Sequence, residues 1–122
     1  MISHIPTVNW PPEPGEYKIV QIYLEEKPYL RFNKFLFHSH ILEDFLNETE
    51  IEFQTVLGKE SSLPIPAIQG NGYHASGMGK ADVNVEERKI RFYGESGDYG
   101  IKIDRQHLDA IRRLEPDWTF ED

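Results

Sequence analysis

The stretch FLFHSHILEDF, residues 35–45, contains the point where the chain changes period. Up to it, apolar residues run consecutively in KFLF (34–37), as in a short strand. Beyond it, Ile41, Leu42, Phe45 and Leu46 recur at helical spacing. The pattern predicts a strand over 34–37 and a helix over about 40–48. Ser39 is a good N-cap residue, and Glu43 and Asp44 fall in the early turns, where the helix dipole favours acids. Two of the five histidines, His38 and His40, stand at this handover.

Toward the N-terminus, EKPYLRFN (26–33) reads as a turn and a short extended piece, and YKIVQIYLE (17–25) as a strand rich in β-branched and aromatic residues. The first 15 residues carry four of the eight prolines and read as an irregular lead-in. Toward the C-terminus, EIEFQTVL (50–57) alternates and predicts a strand. Residues 58–79 are rich in Gly, Pro and Ser and predict a long loop, with a strand piece near Tyr73. Loops of this length are uncommon in compact domains unless functional or mobile. KADVNVEERKIRFYG (80–94) is the clearest hairpin: Ala81, Val83 and Val85 alternate, a charged turn follows, and Ile90 and Phe92 alternate again. ESGDYG (95–100) is a polar loop. Asp104 is expected to cap a helix through Leu114, with Leu108, Ile111 and Leu114 on its inner face and His107 on its surface. PDWTFED (116–122) closes as a short strand. Trp10 and Trp118 read as core or edge packing. Five or six strands and two helices, without regular β-α alternation, predict a single domain over residues 1–122. Its class is α/β, more narrowly α+β: a mixed five- to six-stranded sheet packed with two helices, one on each face or both on one.

Composition narrows the function classes. A chain of 122 residues buries enough surface to fold without a metal or disulfide staple. Cysteine is absent, which removes disulfides, Cys-based zinc sites and a thiol nucleophile, and suits a cytoplasmic protein. The first ten residues lack the basic start and apolar core of a signal peptide. No apolar run approaches the roughly 18 residues of a membrane span. The net charge of −8, with no long basic run, argues against nucleic acid as a partner. Any anion site must then be built locally, from particular amides and cations.

His38 is where such a site is expected. The first turn of a helix leaves backbone N–H groups unpaired, and with the dipole they attract anions. A histidine at their rim can take or give a proton near neutral pH. The bland alternative is a packed or surface histidine. His38, His40 and His74 could instead be metal ligands, although a strand-helix boundary need not point His38 and His40 the same way. GNGYHASGMGK (70–80) is not a phosphate-binding P-loop: His74 and Ala81 stand where Gly and Ser or Thr are required, and a strand follows where a helix should. Even so, Gly77 and Gly79 permit close approach of backbone to a ligand, and Lys80 would offer a point charge for phosphate. The 94–100 loop could form a concavity of amides with the Ser96 hydroxyl, whereas the Asp98 carboxylate would repel an anion unless it points away.

In order along the chain, several stretches resemble the phosphohistidine phosphatase (Janus/Ocnus) family. KADVNVEERKIRFYGESGDYG (80–100) is similar to the family's strand, charged turn, strand ending in Tyr-Gly and Ser-containing loop ending in Tyr-Gly. KFLFHSHILEDF (34–45) resembles the segment that carries the family's catalytic histidine and places His38 on it. GEYKIVQIYL (15–24) resembles the first strand, with Lys18 on a lysine beside the active site, and LEPDWTF (114–120) resembles the closing segment. These parts cover about half the chain. The resemblance implies a metal-independent protein phosphatase, without organic cofactor, acting as a monomer on a phosphorylated protein or peptide. His38 would be the general base. Amides of His38 and Ser39, and those near Ser96 and Asp98, would hold the phosphoryl oxygens. Lys80 would replace the family's arginine, without its bidentate fork, and Lys18 would shape the site. Ser39-His40 stands where the family has Ala-Asp, Asp98 replaces a small residue, and the loop before Lys80 is longer. Three alternatives stay open: a non-catalytic module that binds a phosphate or an acidic peptide or phosphopeptide in the same cradle, a hydrolase with a metal on His38, His40 and His74, and a structural protein with no site.

Overall fold

The computed structural model describes residues 5–121. The first four residues of the expected lead-in and Asp122 of the expected last strand lie outside them. Among the described residues the elements run β1 (Gly15–Leu24), β2 (Lys27–Asn33), α1 (His38–Glu48), β3 (Thr55–Leu57), β4 (Pro64–Pro66), β5 (Gln69–Gly70), β6 (Tyr73–Asn84), β7 (Lys89–Tyr93), β8 (Glu95–Ser96), β9 (Ile101–Lys102), α2 (Arg105–Leu114) and β10 (Thr119–Glu121). The main sheet has the order β10-β7-β6-β1-β2, with β5 also on β6. Its pairs are antiparallel except β10, which lies parallel to β7. The architecture is α+β with a mixed six-stranded sheet. No helix among the described residues is long and apolar enough to cross a membrane.

Each helix covers one face. On one side, Ile41, Leu42, Phe45 and Leu46 of α1 pack on Val20, Ile22, Tyr29, Ala75 and Met78. On the other, Leu108 and Ile111 of α2 pack on Tyr17, Ile19, Phe32, Ala81, Val83 and Phe92. Successive residues of β1 thus feed opposite cores, which is why Ile19, Val20 and Ile22 are all fully buried. The irregular lead-in is clamped to the chain's end by Trp10 stacked on Trp118, ring centroids 3.9 Å apart.

Several sequence expectations need correction. Residues 34–37 are not a strand; the strand is Lys27–Asn33, read from sequence as a turn and a short extended piece. Asn33 Oδ1 accepts from the N–H of Phe35 (2.9 Å) and Leu36 (2.8 Å), and this side-chain turn ends the ladder. Phe35 is left 86% exposed. Helix α1 starts earlier than expected: His38 is its first residue, Phe37 is the N-cap, and no side chain caps it. Ser39 lies inside the helix and is buried, and the first turn holds no acid. Of residues 50–57 only Thr55–Leu57 form a strand, paired with β4 in a separate two-stranded sheet.

The largest correction concerns 58–79. The chain enters the central strand β6 at Tyr73, so the loop region is shorter and itself contains β4 and β5. The glycines of β6 answer to crowding rather than turning. A Cβ at Gly79 would lie 2.6 Å from the Tyr93 carbonyl oxygen, and one at Gly77 2.7 Å from the Asp104 nitrogen. The 80–94 hairpin, the Asp104 cap and the closing strand agree with the sequence. Leu114, however, is exposed, and His107 is wholly buried rather than on the surface.

Candidate functional site

His38 is held where α1 begins, against the middle strand of the sheet. Its Nε2 lies 2.8 Å from the Gly79 carbonyl oxygen. A carbonyl only accepts, so Nε2 carries the hydrogen and the neutral ring keeps its lone pair on Nδ1. Burial pushes the His38 pKa below the usual 6.5; the Gly79 bond opposes that shift, and the charges of Lys18 and Lys80 add to it. The ring is therefore neutral at pH 7, with a lone pair on Nδ1 that can accept a proton.

The two lysines are cross-strand partners on β1 and β6. Lys18 Nζ sits 5.4 Å from the centre of the Phe37 ring, and the Lys80 side chain runs beside Gly94, where φ is +82°. Among the described residues neither forms an ion pair. A protein of net charge −8 thus concentrates positive charge behind His38.

Helix backbone bonding begins with the N–H of His40 (3.0 Å) and Ile41 (3.1 Å), both donating to the Phe37 carbonyl. The N–H groups of His38 and Ser39 precede these and have no intrahelical acceptor. With phenylalanine at the cap position, no side chain serves them either.

These groups border a cavity of about 360 Å³ lined by Phe37, His38, Ser39, Glu60, Ser61, Ser96, Gly97 and Asp98. Four residues singled out from sequence, His38, Ser39, Ser96 and Asp98, meet there. Lys18 and Lys80 stand beside His38 rather than in the wall. Ser96 is buried at the start of the β8-β9 hairpin, and its Oγ accepts from Tyr99 N–H at 3.4 Å. Asp98 does something the sequence did not suggest. Its Oδ1 accepts from the N–H groups of Glu60 (3.0 Å) and Ser61 (2.7 Å), and its carbonyl from Lys59 N–H (2.9 Å). The Ser61 amide, the Ser61 hydroxyl and the Glu60 amide hold its carboxyl below the usual range. Its side chain is a tether for the 58–62 segment, not a phosphate ligand. That segment carries Glu60 over the hairpin, and the Glu60 carboxylate fills the space a Cβ at Gly97 would need. No motif marked Glu60, Ser61 or Phe37; the only signal was that they flank or belong to segments already singled out.

The three histidines of the metal alternative do not converge. His74 pairs with Tyr23 and Gln69 on β6, five residues before Gly79, or roughly 17 Å along the strand. His40 and His74 are exposed. Among the described residues no three His, Asp or Glu side chains group as a metal site. No protein-family model matches this chain, and no curated protein matches it significantly.

Proposed function

We propose that the protein is a phosphatase that hydrolyses phosphohistidine or a related phosphoramidate in a protein or peptide, with His38 as general base and no metal in the step. The observation that carries this is a neutral histidine, its tautomer set by a carbonyl, at the mouth of an uncapped helix that borders a cavity. The phosphoryl oxygens take the N–H groups of His38 and Ser39 and those of the Ser96–Asp98 turn. Lys18 and Lys80 add long-range attraction. A water attacks phosphorus as His38 Nδ1 takes its proton; the P–N bond breaks and the departing imidazole nitrogen takes up a proton. General-base assistance is worth roughly 10²–10⁴-fold, and oriented amides supply further stabilisation. The resemblance of residues 34–45 and 80–100 to the phosphohistidine phosphatase family supports the same assignment. The cysteine-free composition supports a cytoplasmic setting, and the family resemblance supports a monomer.

A second reading has its own observation. Glu60 lies over Gly97, where an anion would approach, which favours a module that binds a phosphorylated peptide without turning it over. Phosphate release from a histidine-phosphorylated peptide in chelator separates the two. Release by the wild type and at least 100-fold less by His38→Ala supports the phosphatase. Binding of the peptide without release supports the module.

A further inference from the structure

A second cavity opens beside the first. It has a volume of about 320 Å³ and shares Phe37, Ser39, Ser61 and Asp98 with it. Its far wall is the segment Leu63 to Pro66, and His40 and Glu43 of α1 close the other side. Its lips are apolar and uncovered: Phe37 is 66% and Leu63 62% exposed. An apolar cavity of roughly 150 Å³ accepts a benzene ring, so this one holds one or two large apolar side chains.

The wall is pre-formed. Tyr99 Oη donates to the Pro66 carbonyl at 2.7 Å, Gly58 N–H to the Leu63 carbonyl at 2.9 Å, and Leu63 N–H to Ser61 Oγ at 3.2 Å. With the Asp98 tether, the 58–66 segment is fixed to the same hairpin that borders the first cavity. A rigid apolar slot with prolines on one side loses little entropy on binding. Because the two cavities share four residues, a chain whose phosphorylated residue enters the first lays its neighbour at the second.

Building on the proposed activity, we infer that the second cavity is a specificity subsite for an apolar side chain flanking the phosphorylated histidine. Its occupant belongs to the substrate polypeptide itself. The long segment before β6 then supplies sequence preference, while the α1 N-terminus and the β8-β9 turn supply the chemistry.

The test uses three substrates in chelator: phosphoimidazole, and two peptides with phosphohistidine flanked by leucines or by serines. In the wild type, kcat/KM for the leucine peptide should exceed that for the serine peptide by about tenfold or more, the discrimination of one hydrophobic pocket. In Leu63→Ser, a change at an exposed position, the ratio should fall toward one. Turnover of phosphoimidazole with equal kcat/KM for the two peptides would overturn the subsite and leave the phosphatase standing. Hydrolysis of none of the three would overturn the phosphatase and the subsite together.

Discussion

The two helices start in opposite ways, and each start holds a histidine, His107 fully buried and His38 half-buried. At α2, Asp104 caps the helix, accepting from the N–H groups of Gln106 (3.1 Å) and His107 (3.3 Å). His107 Nε2 donates to the Ile22 carbonyl at 3.2 Å, and its Nδ1 accepts from Gln21 Nε2 at 3.3 Å. Gln21 also donates to the Asp104 carbonyl (2.9 Å) and accepts from its N–H (2.8 Å). Both ring nitrogens of His107, the Gln21 amide and the Asp104 cap thus have partners there. At α1 the cap is phenylalanine, His38 Nε2 is bonded, and among the described residues the His38 and Ser39 amides and His38 Nδ1 have no hydrogen-bond partner. Burial lowers both histidine pKa values. The difference lies in what is left unpaired: α2 begins as a closed joint, α1 with groups open to a ligand.

That contrast breaks most sharply at the histidines. His38→Ala should cost at least 100-fold in phosphate release while leaving thermal stability nearly unchanged. His107→Ala should do the reverse. It removes one partner of Gln21 and one donor to the Ile22 carbonyl and opens a cavity, a loss of about 3 kcal/mol, read as a fall in the urea midpoint with turnover per folded molecule retained.

Acid should sharpen it next. The folded pKa of His107 lies below the unfolded value of about 6.5, so the unfolded chain binds more protons between the two. Its contribution to stability is fully present above pH 6.5 and falls as pH drops toward the folded pKa, by at most about 1.4 kcal/mol per pH unit. Urea titrations from pH 7.5 to 5 should show the decline, and His107→Ala should flatten it. His38 acts in the same sense, and the acid limb of kcat/KM should fall below pH 6.5.

Capping α1 is a smaller perturbation with two opposed readouts. Phe37→Asp supplies the missing acceptor and should stabilise the protein by about 1 kcal/mol, while weakening binding of inorganic phosphate at the same amides. Smallest of all, Glu60→Gln removes a negative charge from the cavity and should tighten phosphate a few-fold, seen as a lower KM.

Where local physics decides, these features were legible from sequence. The alternation through Ala81, Val83, Ile90 and Phe92 declares a hairpin, and Asp104 declares a cap, because both depend on neighbours a few residues away. His38 was legible as the handover residue, although it starts the helix rather than ending a strand. What the sequence hid depends on distant partners. His107 looks like a surface residue until Gln21, 86 positions earlier, is placed beside it. Gly77 and Gly79 look like loop glycines until Asp104 and Tyr93 crowd them. Asp98 looks like a hazard to an anion until the amides of Glu60 and Ser61 claim its carboxylate.

The most direct test of this contrast is the ¹⁵N NMR signature of the two histidine rings at pH 7, followed as inorganic phosphate is added. Both rings should show the neutral Nε2–H form. Phosphate should shift Nδ1 of His38 and the backbone amides of His38 and Ser39, leaving His107 still. A His38 ring protonated on Nδ1 instead, or phosphate shifts absent from residues 38 and 39, would contradict the assignment of the α1 N-terminus as the site.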